Sequence, residues 1–418
     1  MNNLQDWIRH GEEMRRPLLV NHNLSKAEKI VIVGAGLSGL CTAFRIAEKR
    51  PDLEIIIIEK SKKSGGVICT WKQNEWLCDV AVNATRSHPA FWRLIDDLGL
   101  EKKFSTSNPK AKSRWILIGN KKHKLSLFSI FKIGPFKLRK GIKKSKQGNT
   151  SVAEMLPNKQ IADALTLGIV NDTAENVDSD FLMPALTKFG PKSPIKKSKL
   201  NSLIKKSYPL FTPKKGSLAS LEGGMQTLIS ELENKLSSMS NVKIIYDYKV
   251  DSPDSIADQY RIPKSSIIWT APGWQKENEN SELSIFAVGF SEKSVRNIEY
   301  GYGTLIPDKS IPISGILHES DIHASKRSPE GHRLFRLMVP HNRWDMDEKS
   351  ILECTKKILG SEPVLFTKIG QRKIPRYKPG HMSRISKITA DFSIIGWSVS
   401  GVSVTHVVDE SERVAELF

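Results

Sequence analysis

The amino-acid sequence predicts an α/β protein, α+β overall, built from three parts. A parallel-strand pattern with a glycine-rich turn occupies residues 29–66. Short strands separated by turn residues occupy residues 283–340 and indicate an antiparallel sheet. The excess positive charge of the chain is confined to residues 102–215, which predicts a separate basic segment. With 418 residues the chain can bury a large core and form two or three domains.

The first predicted strand runs directly into glycines with G-x-G-x-x-G spacing. Residues 30–33 are apolar and β-branched, as in a buried parallel strand, and helical periodicity follows. In this pattern the glycines permit a tight turn, a close approach of pyrophosphate and close packing of the helix. The helix N-terminus then attracts the anion. The candidate binding residues of this turn are Gly34, Gly36, Leu37, Ser38 and Gly39.

A second buried strand at residues 55–58 ends at Glu59, 20 residues after the last glycine of the pattern. A carboxylate at this place can accept hydrogen bonds from ribose hydroxyls, and the whole unit predicts a Rossmann-like dinucleotide-binding domain. Lys60 follows as a further cofactor-binding candidate. Gly65 and Gly66 come next, and an acid-ended strand followed by a glycine pair resembles the two-dinucleotide-binding motif of FAD proteins. This resemblance favours FAD over NAD.

The composition narrows the class of protein. The four cysteines lack C-x-x-C spacing, so we expect reduced thiols of a cytoplasmic protein with no disulfide or metal framework. The apolar runs are too short for a membrane span. Residues 1–28 are charged throughout and read as an N-terminal arm rather than a secretory signal.

The basic segment accounts for the whole net charge of +19. Residues 102–215 contain 25 Lys and Arg and six Asp and Glu, whereas the rest of the chain has 39 of each. Apolar residues lie among these lysines at residues 125–146 and 192–215. This mixture suits a surface that lies on an anionic membrane, but a helical subdomain with solvated lysines explains it equally well. No nucleic-acid-binding motif is present, and we expect no nucleic-acid partner.

The order of these patterns along the sequence predicts the domain boundaries. An α/β pattern returns at residues 216–270, and a strand, a glycine-rich turn and a helix close the chain. The predicted divisions are 1–28 as the arm; 29–104, 216–270 and 371–418 as the FAD-binding domain; 105–215 as the basic helical insert; and 271–370 as the substrate-binding domain.

Several segments together resemble the flavin-containing amine oxidase superfamily and, within it, the protoporphyrinogen oxidases. The resemblance extends over nearly all of residues 29–418. The segments that carry it are G-G-M-Q-T-L (223–228), G-Y-G-T-L-I-P (301–307), I-P-R-Y-K-P-G-H (374–381), G-W-S-V-S-G-V-S-V (396–404) and A-K-S-R-W-I-L-I-G (111–119).

This resemblance implies an enzyme of haem biosynthesis that uses FAD to oxidise protoporphyrinogen IX to protoporphyrin IX, with oxygen as the acceptor. The flavin would carry the chemistry, so no catalytic acid, base or metal is expected. Arg114 would hold a substrate propionate, and Leu305 and His318 would line the pocket, although such a histidine is more often structural. Val250 would face the adenine. Gly401, Val402 and Val404 would line the flavin ring.

Other functions fit the same residues. Coproporphyrinogen III, with four carboxylates, would suit a more basic site, and another oxidoreductase of the superfamily is a further alternative. A flavin-free carrier of the GDP-dissociation-inhibitor type is the non-enzyme alternative, which Glu59 and the 396–404 turn argue against. The expected partners are the porphyrinogen, an anionic membrane surface on its cytoplasmic face and a second copy of the chain in a homodimer.

Overall fold

The computed structural model describes residues 4–11, 15–119, 121–125, 134–208, 218–272, 274, 279–345 and 347–418. The helices are α1 Leu4–His10, α2 Leu37–Lys49, α3 Pro89–Asp97, α4 Pro135–Ser145, α5 Val152–Met155, α6 Lys159–Val170, α7 Ser179–Leu182, α8 Lys197–Ser207, α9 Gln226–Ser237, α10 Pro253–Tyr260, α11 Glu319–Ile322, α12 Glu348–Leu359, α13 His381–Ile385, α14 Trp397–Ser400 and α15 Val404–Ala415. The strands are β1 Lys29–Val33, β2 Glu54–Ile58, β3 Thr70–Gln73, β4 Trp76–Asp79, β5 Thr85–Arg86, β6 Phe104–Thr106, β7 Arg114–Ile118, β8 Lys121–Lys124, β9 Leu218–Leu221, β10 Val242–Ile245, β11 Ile267–Trp269, β12 Glu279–Ser291, β13 Gly303–Leu305, β14 Gly315–Leu317, β15 His332–Pro340, β16 Leu365–Arg376 and β17 Ser393–Ile394.

A five-stranded parallel sheet forms the first domain, in the order β10-β2-β1-β11-β17. The central strands are buried on both faces because helices cover both sides, as their continuous Ile and Val runs predict. Helices α2, α3, α9 and α15 supply most of the core on one face. Ile256 of α10 packs on the other face. The predicted Rossmann-like domain and the α/β fold class are confirmed.

A seven-stranded sheet forms the second domain, in the order β16-β12-β15-β14-β13-β7-β8. Its pairings are antiparallel except between β13 and β7, which run parallel. One face packs on α12 through a core that includes Phe286, Phe335 and Ile351. The opposite face, which we call the inner face, is turned towards the first domain.

Two predicted boundaries differ from the structure. Residues 114–124 of the expected helical insert form β7 and β8 and belong to the seven-stranded sheet, because β7 pairs with β13 far along the chain. Residues 371–376, expected in the FAD-binding domain, complete β16 of the same sheet. Residues 249–250, within the predicted α/β pattern, do not form a strand, because Asp247 has a positive φ of 57°, which turns the chain after β10.

The N-terminal arm packs on a helix of the basic segment. Trp7 and Ile8 of α1 pack on Leu200 of α8. Leu203 and Ile204, apolar residues of the basic segment, are half-buried in the same cluster, which fits the helical-subdomain explanation rather than a membrane contact at these two positions. The apolar residues of this segment within 126–133 and 209–217 lie outside the described residues. Within the described residues, none of the helices combines the length and the apolar character that crossing a membrane requires.

Candidate cofactor and substrate site

The glycine-rich turn between β1 and α2 has the close packing that its spacing predicts. Gly34 has a φ of 108°, which favours glycine. A Cβ atom on Gly39 would lie 1.9 Å from the carbonyl oxygen of Gly34, so the helix can approach the strand only with glycine at this position. Thr270, at the end of β11, donates its hydroxyl to the carbonyl oxygen of Val33 at 2.8 Å and braces the turn.

The second glycine pair folds back onto this turn. The amide of Gly65 donates to the carbonyl oxygen of Ala35 at 2.8 Å. A Cβ atom on Gly66 would lie 3.4 Å from Cα of Gly36, so two strips of backbone meet here without side chains. This leaves an exposed backbone surface at the start of α2, where helix amides are unpaired and favour an anion.

Glu59 is positioned by the same turn. Its carboxylate is buried, and it accepts hydrogen bonds from the amide of Ala35 at 2.9 Å and from the amide of Ser61 at 2.8 Å. Each oxygen retains a second lone pair that a ribose hydroxyl can use. Lys60 beside it is exposed.

The chain after β10 runs alongside Glu59. The amide of Asp247 donates to Ser61, and the amide of Tyr248 donates to the carbonyl oxygen of Glu59 at 3.0 Å. Val250 follows two residues later and packs on the apolar cluster beside β2. The structure therefore places Val250 on the side of the turn where Glu59 lies.

The terminal turn reaches the other side of α2. A Cβ atom on Gly396 would lie 3.3 Å from the hydroxyl of Ser38, so the turn 396–404 sits directly over the first turn of α2. The buried hydroxyl of Ser38 has no hydrogen-bond partner among the residues that the structure describes. Glu410 on α15 accepts from the amide of Gly396 at 2.7 Å, and burial raises the pKa of Glu410 to about 8. Val404 begins α15, so the amides at this helix start face the same region.

These features fit a dinucleotide laid from Glu59, across the glycine backbone, to the terminal turn. The orphaned Ser38 hydroxyl and the free helix amides match a pyrophosphate, and the carboxylate of Glu59 matches a ribose diol. The described candidates from Gly34 to Gly66 are thus brought together at one edge of the sheet.

The terminal turn also meets the second sheet. Val402 lies in one apolar cluster with Val80 of the first domain and with Ile285 and Ile374 of the inner face. Helices α5 and α6 contribute to the same cluster and cover it. A flavin ring that followed the dinucleotide path to Val402 would face the sheet at this point.

The predicted substrate residues are distributed over both faces of that sheet. Arg114 is exposed, pairs in register with Gly303, and has its guanidinium 4.2 Å from the ring centroid of Tyr302. Leu305 lies two residues further along the same face, against Gly168 of α6. These two candidates therefore lie close to each other on the inner face.

His318 lies on the opposite face. Its ring stacks on Trp115 at 5.8 Å between centroids and contacts Phe335, and its Nδ1 is 3.1 Å from Asp321. Burial lowers its pKa below the usual value despite Asp321. Arg333 completes this ion cluster at 2.8 Å from Asp321. This environment gives His318 a structural role, the more common role for a histidine in such a strand.

Sequence reasoning missed a buried network of hydrogen bonds and ion pairs centred on Asp79. Its carboxylate accepts from Thr70 and from the amide of Met225 and pairs with Arg327 at 2.9 Å, joining both domains. Arg336 of β15 lies nearby and donates to the carbonyl oxygen of Asp79. Arginines inside the apolar β15 run, H-R-L-F-R-L-M-V-P, were the available signal, because a charge inside a strand is buried only with a partner.

Comparisons with known proteins agree with this geometry. A family model described as an NAD(P)-binding Rossmann-like domain matches residues 32–98. The chain is 24% identical to a coproporphyrinogen III oxidase of Bacillus subtilis (strain 168), covering 92% of this chain and 96% of that protein. A protein of the same name from Staphylococcus aureus is 23% identical, and the match covers 93% of this chain and 98% of that protein. The chain is a homologue of these porphyrinogen oxidases.

Other matches extend the same relationship. Protoporphyrinogen oxidase 1 of Arabidopsis thaliana is 29% identical over 32% of this chain and 27% of that protein. A solved structure of a candidate protoporphyrinogen oxidase from Exiguobacterium sp. 255-15 superposes with a TM-score of 0.65 at 16% identity, covering 93% of this chain and 98% of that one. At this identity the structural match shows the shared fold. The predicted resemblance to the porphyrinogen oxidases is confirmed.

Proposed function

We propose that the protein is an FAD-dependent oxidoreductase that converts a porphyrinogen to the porphyrin in haem biosynthesis. The observation that carries this proposal is the meeting of three parts at one cluster. Val402 of the terminal turn, Val80 of the loop after β4, and Ile285 and Ile374 of the inner face pack together in one apolar cluster. Homology to coproporphyrinogen III oxidases over most of both chains supports the same function.

The residues of the first domain hold and orient the cofactor. Glu59 would accept hydrogen bonds from the ribose hydroxyls, the glycine backbone with Ser38 would hold the pyrophosphate, and Val250 would cover the adenine. Gly401, Val402 and Val404, at the start of α15, would hold the flavin ring. A bound flavin would supply the redox chemistry, accepting hydrides from the macrocycle and passing the electrons to oxygen.

The inner face binds the substrate. Arg114, whose guanidinium lies over Tyr302, holds a propionate, and Leu305 forms the apolar wall beside it. The covering helices exclude water from the cluster around Val402. We expect Arg114→Ala to weaken porphyrin binding while flavin stays bound, because Arg114 lies away from the glycine turn. Unchanged binding would remove Arg114 from the site.

The substrate is protoporphyrinogen IX or coproporphyrinogen III, and both fit an apolar site with a cation. Adding either porphyrinogen to the purified protein in air tests the proposal, because the product porphyrin is fluorescent and the substrate is not. Porphyrin formed faster than in a heat-treated sample, with flavin released on denaturation, supports the proposed function. A protein that binds FAD but oxidises neither porphyrinogen would refute it.

We further propose that α4 lies on the cytoplasmic surface of an anionic membrane. Phe136 at its start is 82% exposed, and Lys137, Arg139, Lys140 and Lys143 surround it on the exposed side. An exposed aromatic among cations is typical of interfacial binding. Binding to vesicles with anionic lipid should fall steeply with salt and should weaken in Phe136→Ser. Binding to vesicles of neutral lipid that is as strong as binding to vesicles with anionic lipid would contradict this proposal.

A further inference from the structure

Four buried or half-buried arginines of the second domain pair with carboxylates, whereas the half-buried Arg343 and Arg372 do not. Arg343 instead donates to the carbonyl oxygens of Ile306, Pro307 and Asp308. Each pair has its closest nitrogen and oxygen atoms 2.8 to 3.0 Å apart. The pairs are Arg327 with Asp79, Arg333 with Asp321, Arg336 with Glu319, and Arg376 with Asp172. Among the described residues, no carboxylate lies within ion-pair distance of Arg372, and its Nε has no hydrogen-bond partner.

Arg372 lies on the inner face, next to the proposed flavin site. It stands opposite Leu283, between Gly370 and Ile374 on one side of β16. A Cβ atom on Gly370 would lie 2.6 Å from Cγ1 of Val80, and Ile374 is buried in the cluster that contains Val80 and Val402. The guanidinium therefore points into the region where the loop, the terminal turn and the sheet meet.

Among the described residues, the hydrogen-bond partner of this guanidinium is a backbone carbonyl group. Nη1 of Arg372 donates to the carbonyl oxygen of Ala81 at 3.3 Å, and Nη1 of Arg336 donates to the same oxygen. Burial, and then the charge of Arg336, lower the pKa of Arg372 to about 10, so it stays charged at neutral pH. The carboxylate of Glu319 is engaged by Arg336 and His323. A half-buried cation without a counter-ion is less favourable than a paired one, and an anionic ligand group would supply the missing charge.

Arg372 and Arg114 stand at opposite ends of the inner face. Five strand steps separate β7 from β16, which is about 24 Å measured along the sheet. The short stretch from Gly168 to Asp172 contacts Leu305 at one end and Arg376 at the other, which shows that the sheet curves. The two cations thus lie towards opposite ends of one curved face.

We propose that Arg372 binds a carboxylate on the edge of the macrocycle opposite to the edge held by Arg114, and so selects coproporphyrinogen over protoporphyrinogen. Coproporphyrinogen carries propionates on all four pyrroles, whereas protoporphyrinogen carries two on neighbouring pyrroles and vinyl groups elsewhere. A cation at each end therefore matches carboxylates on both edges. This inference rests on the proposed function and names the substrate for that site.

The test compares the binding of the two product porphyrins to the flavin-loaded protein. Fluorescence titration gives the Kd of coproporphyrin III and of protoporphyrin IX for the wild type, Arg372→Met and Arg372→Lys. Lys373→Met is the matched control, because it removes the same charge from the neighbouring position. Lys373 is exposed on the outer side of the sheet and is paired with Glu282 at 2.8 Å. The flavin content of each variant is measured in parallel.

We expect Arg372→Met to weaken coproporphyrin binding about tenfold or more, which is about 1.4 kcal/mol per decade, and to change protoporphyrin binding less than about threefold. Arg372→Lys should keep most of the preference, since it keeps the charge, and it provides the test if the Met variant does not fold. Lys373→Met should match the wild type. Equal effects on both porphyrins, no effect, or loss of flavin with both porphyrins weakened would overturn the inference. If the wild type oxidises neither porphyrinogen, the proposed function itself fails.

Discussion

The N-terminal helix is fastened to the C-terminal helix by a buried histidine, and we expect this attachment to depend on pH. His10 is 1% exposed, with Nδ1 3.0 Å from Asp409 and Nε2 3.2 Å from Glu416. Burial by itself would lower the pKa of His10, but its hydrogen bonds and charge interactions with the two carboxylates outweigh burial and raise it to about 9. Asp409 belongs to α15, the helix that begins at the terminal turn, so the arm braces the proposed flavin site.

The raised pKa of His10 sets the direction and size of the effect. The folded state holds the proton more tightly than the unfolded chain, whose histidine has a pKa of about 6.5. The stabilisation is therefore complete below pH 6.5 and disappears as the pH rises towards 9. A difference of about 2.5 between the two pKa values corresponds to about 3 kcal/mol. The partial exposure of Glu416 reduces this to about 2 kcal/mol.

Urea unfolding at several pH values between 6 and 9.5 measures this contribution, with about 2 kcal/mol expected from the pKa values. Over this pH range the free energy of unfolding of the wild type should fall by about 2 kcal/mol more than that of His10→Gln. Protease should also cut the arm faster at the alkaline end of the range. His22→Gln is the control, because His22 is an exposed histidine of the same arm. Parallel pH dependence in the wild type and His10→Gln would refute the reasoning.

Three further substitutions test the cofactor site and its support. Gly39→Ala places a Cβ atom 1.9 Å from a carbonyl oxygen, so the purified variant should contain little or no flavin; full flavin content would show that α2 can shift. Glu59→Gln replaces one acceptor with a donor facing a backbone amide, and FAD affinity by calorimetry should fall about ten- to a hundredfold, whereas an unchanged affinity would exclude a ribose contact. Asp79→Asn leaves Arg327 buried without its counter-ion and should lower the free energy of unfolding in urea by about 3–5 kcal/mol; a loss below about 1 kcal/mol would mean that water reaches Arg327.

The cofactor site could be predicted from sequence because its determinants are local. The three glycines, the strand before them and Glu59 lie within one short stretch, and each has a backbone requirement that few other residues meet. The terminal turn was found through resemblance, and the structure brings Gly396 onto Ser38. Local pattern and family motif were sufficient for this half of the molecule.

The substrate side could not be predicted to the same depth because it depends on pairing between distant segments. Arg114 and Leu305 share a face only because β7 pairs with β13. The face that His318 occupies depends on where β14 ends and on Trp115 and Phe335. The lack of a carboxylate partner at Arg372 is visible only once the folded chain shows which arginines pair with carboxylates. Residue type and spacing contain none of this information.

The central claim is that this chain oxidises a porphyrinogen with a bound flavin. It is tested most directly by the visible spectrum of the purified protein while coproporphyrinogen, and in a second sample protoporphyrinogen, is added without oxygen. We predict that the flavin bands bleach as porphyrin bands appear, and that air restores the flavin bands. Flavin bands that stay unchanged with both substrates, or a colourless protein that does not bind added FAD, would contradict the claim.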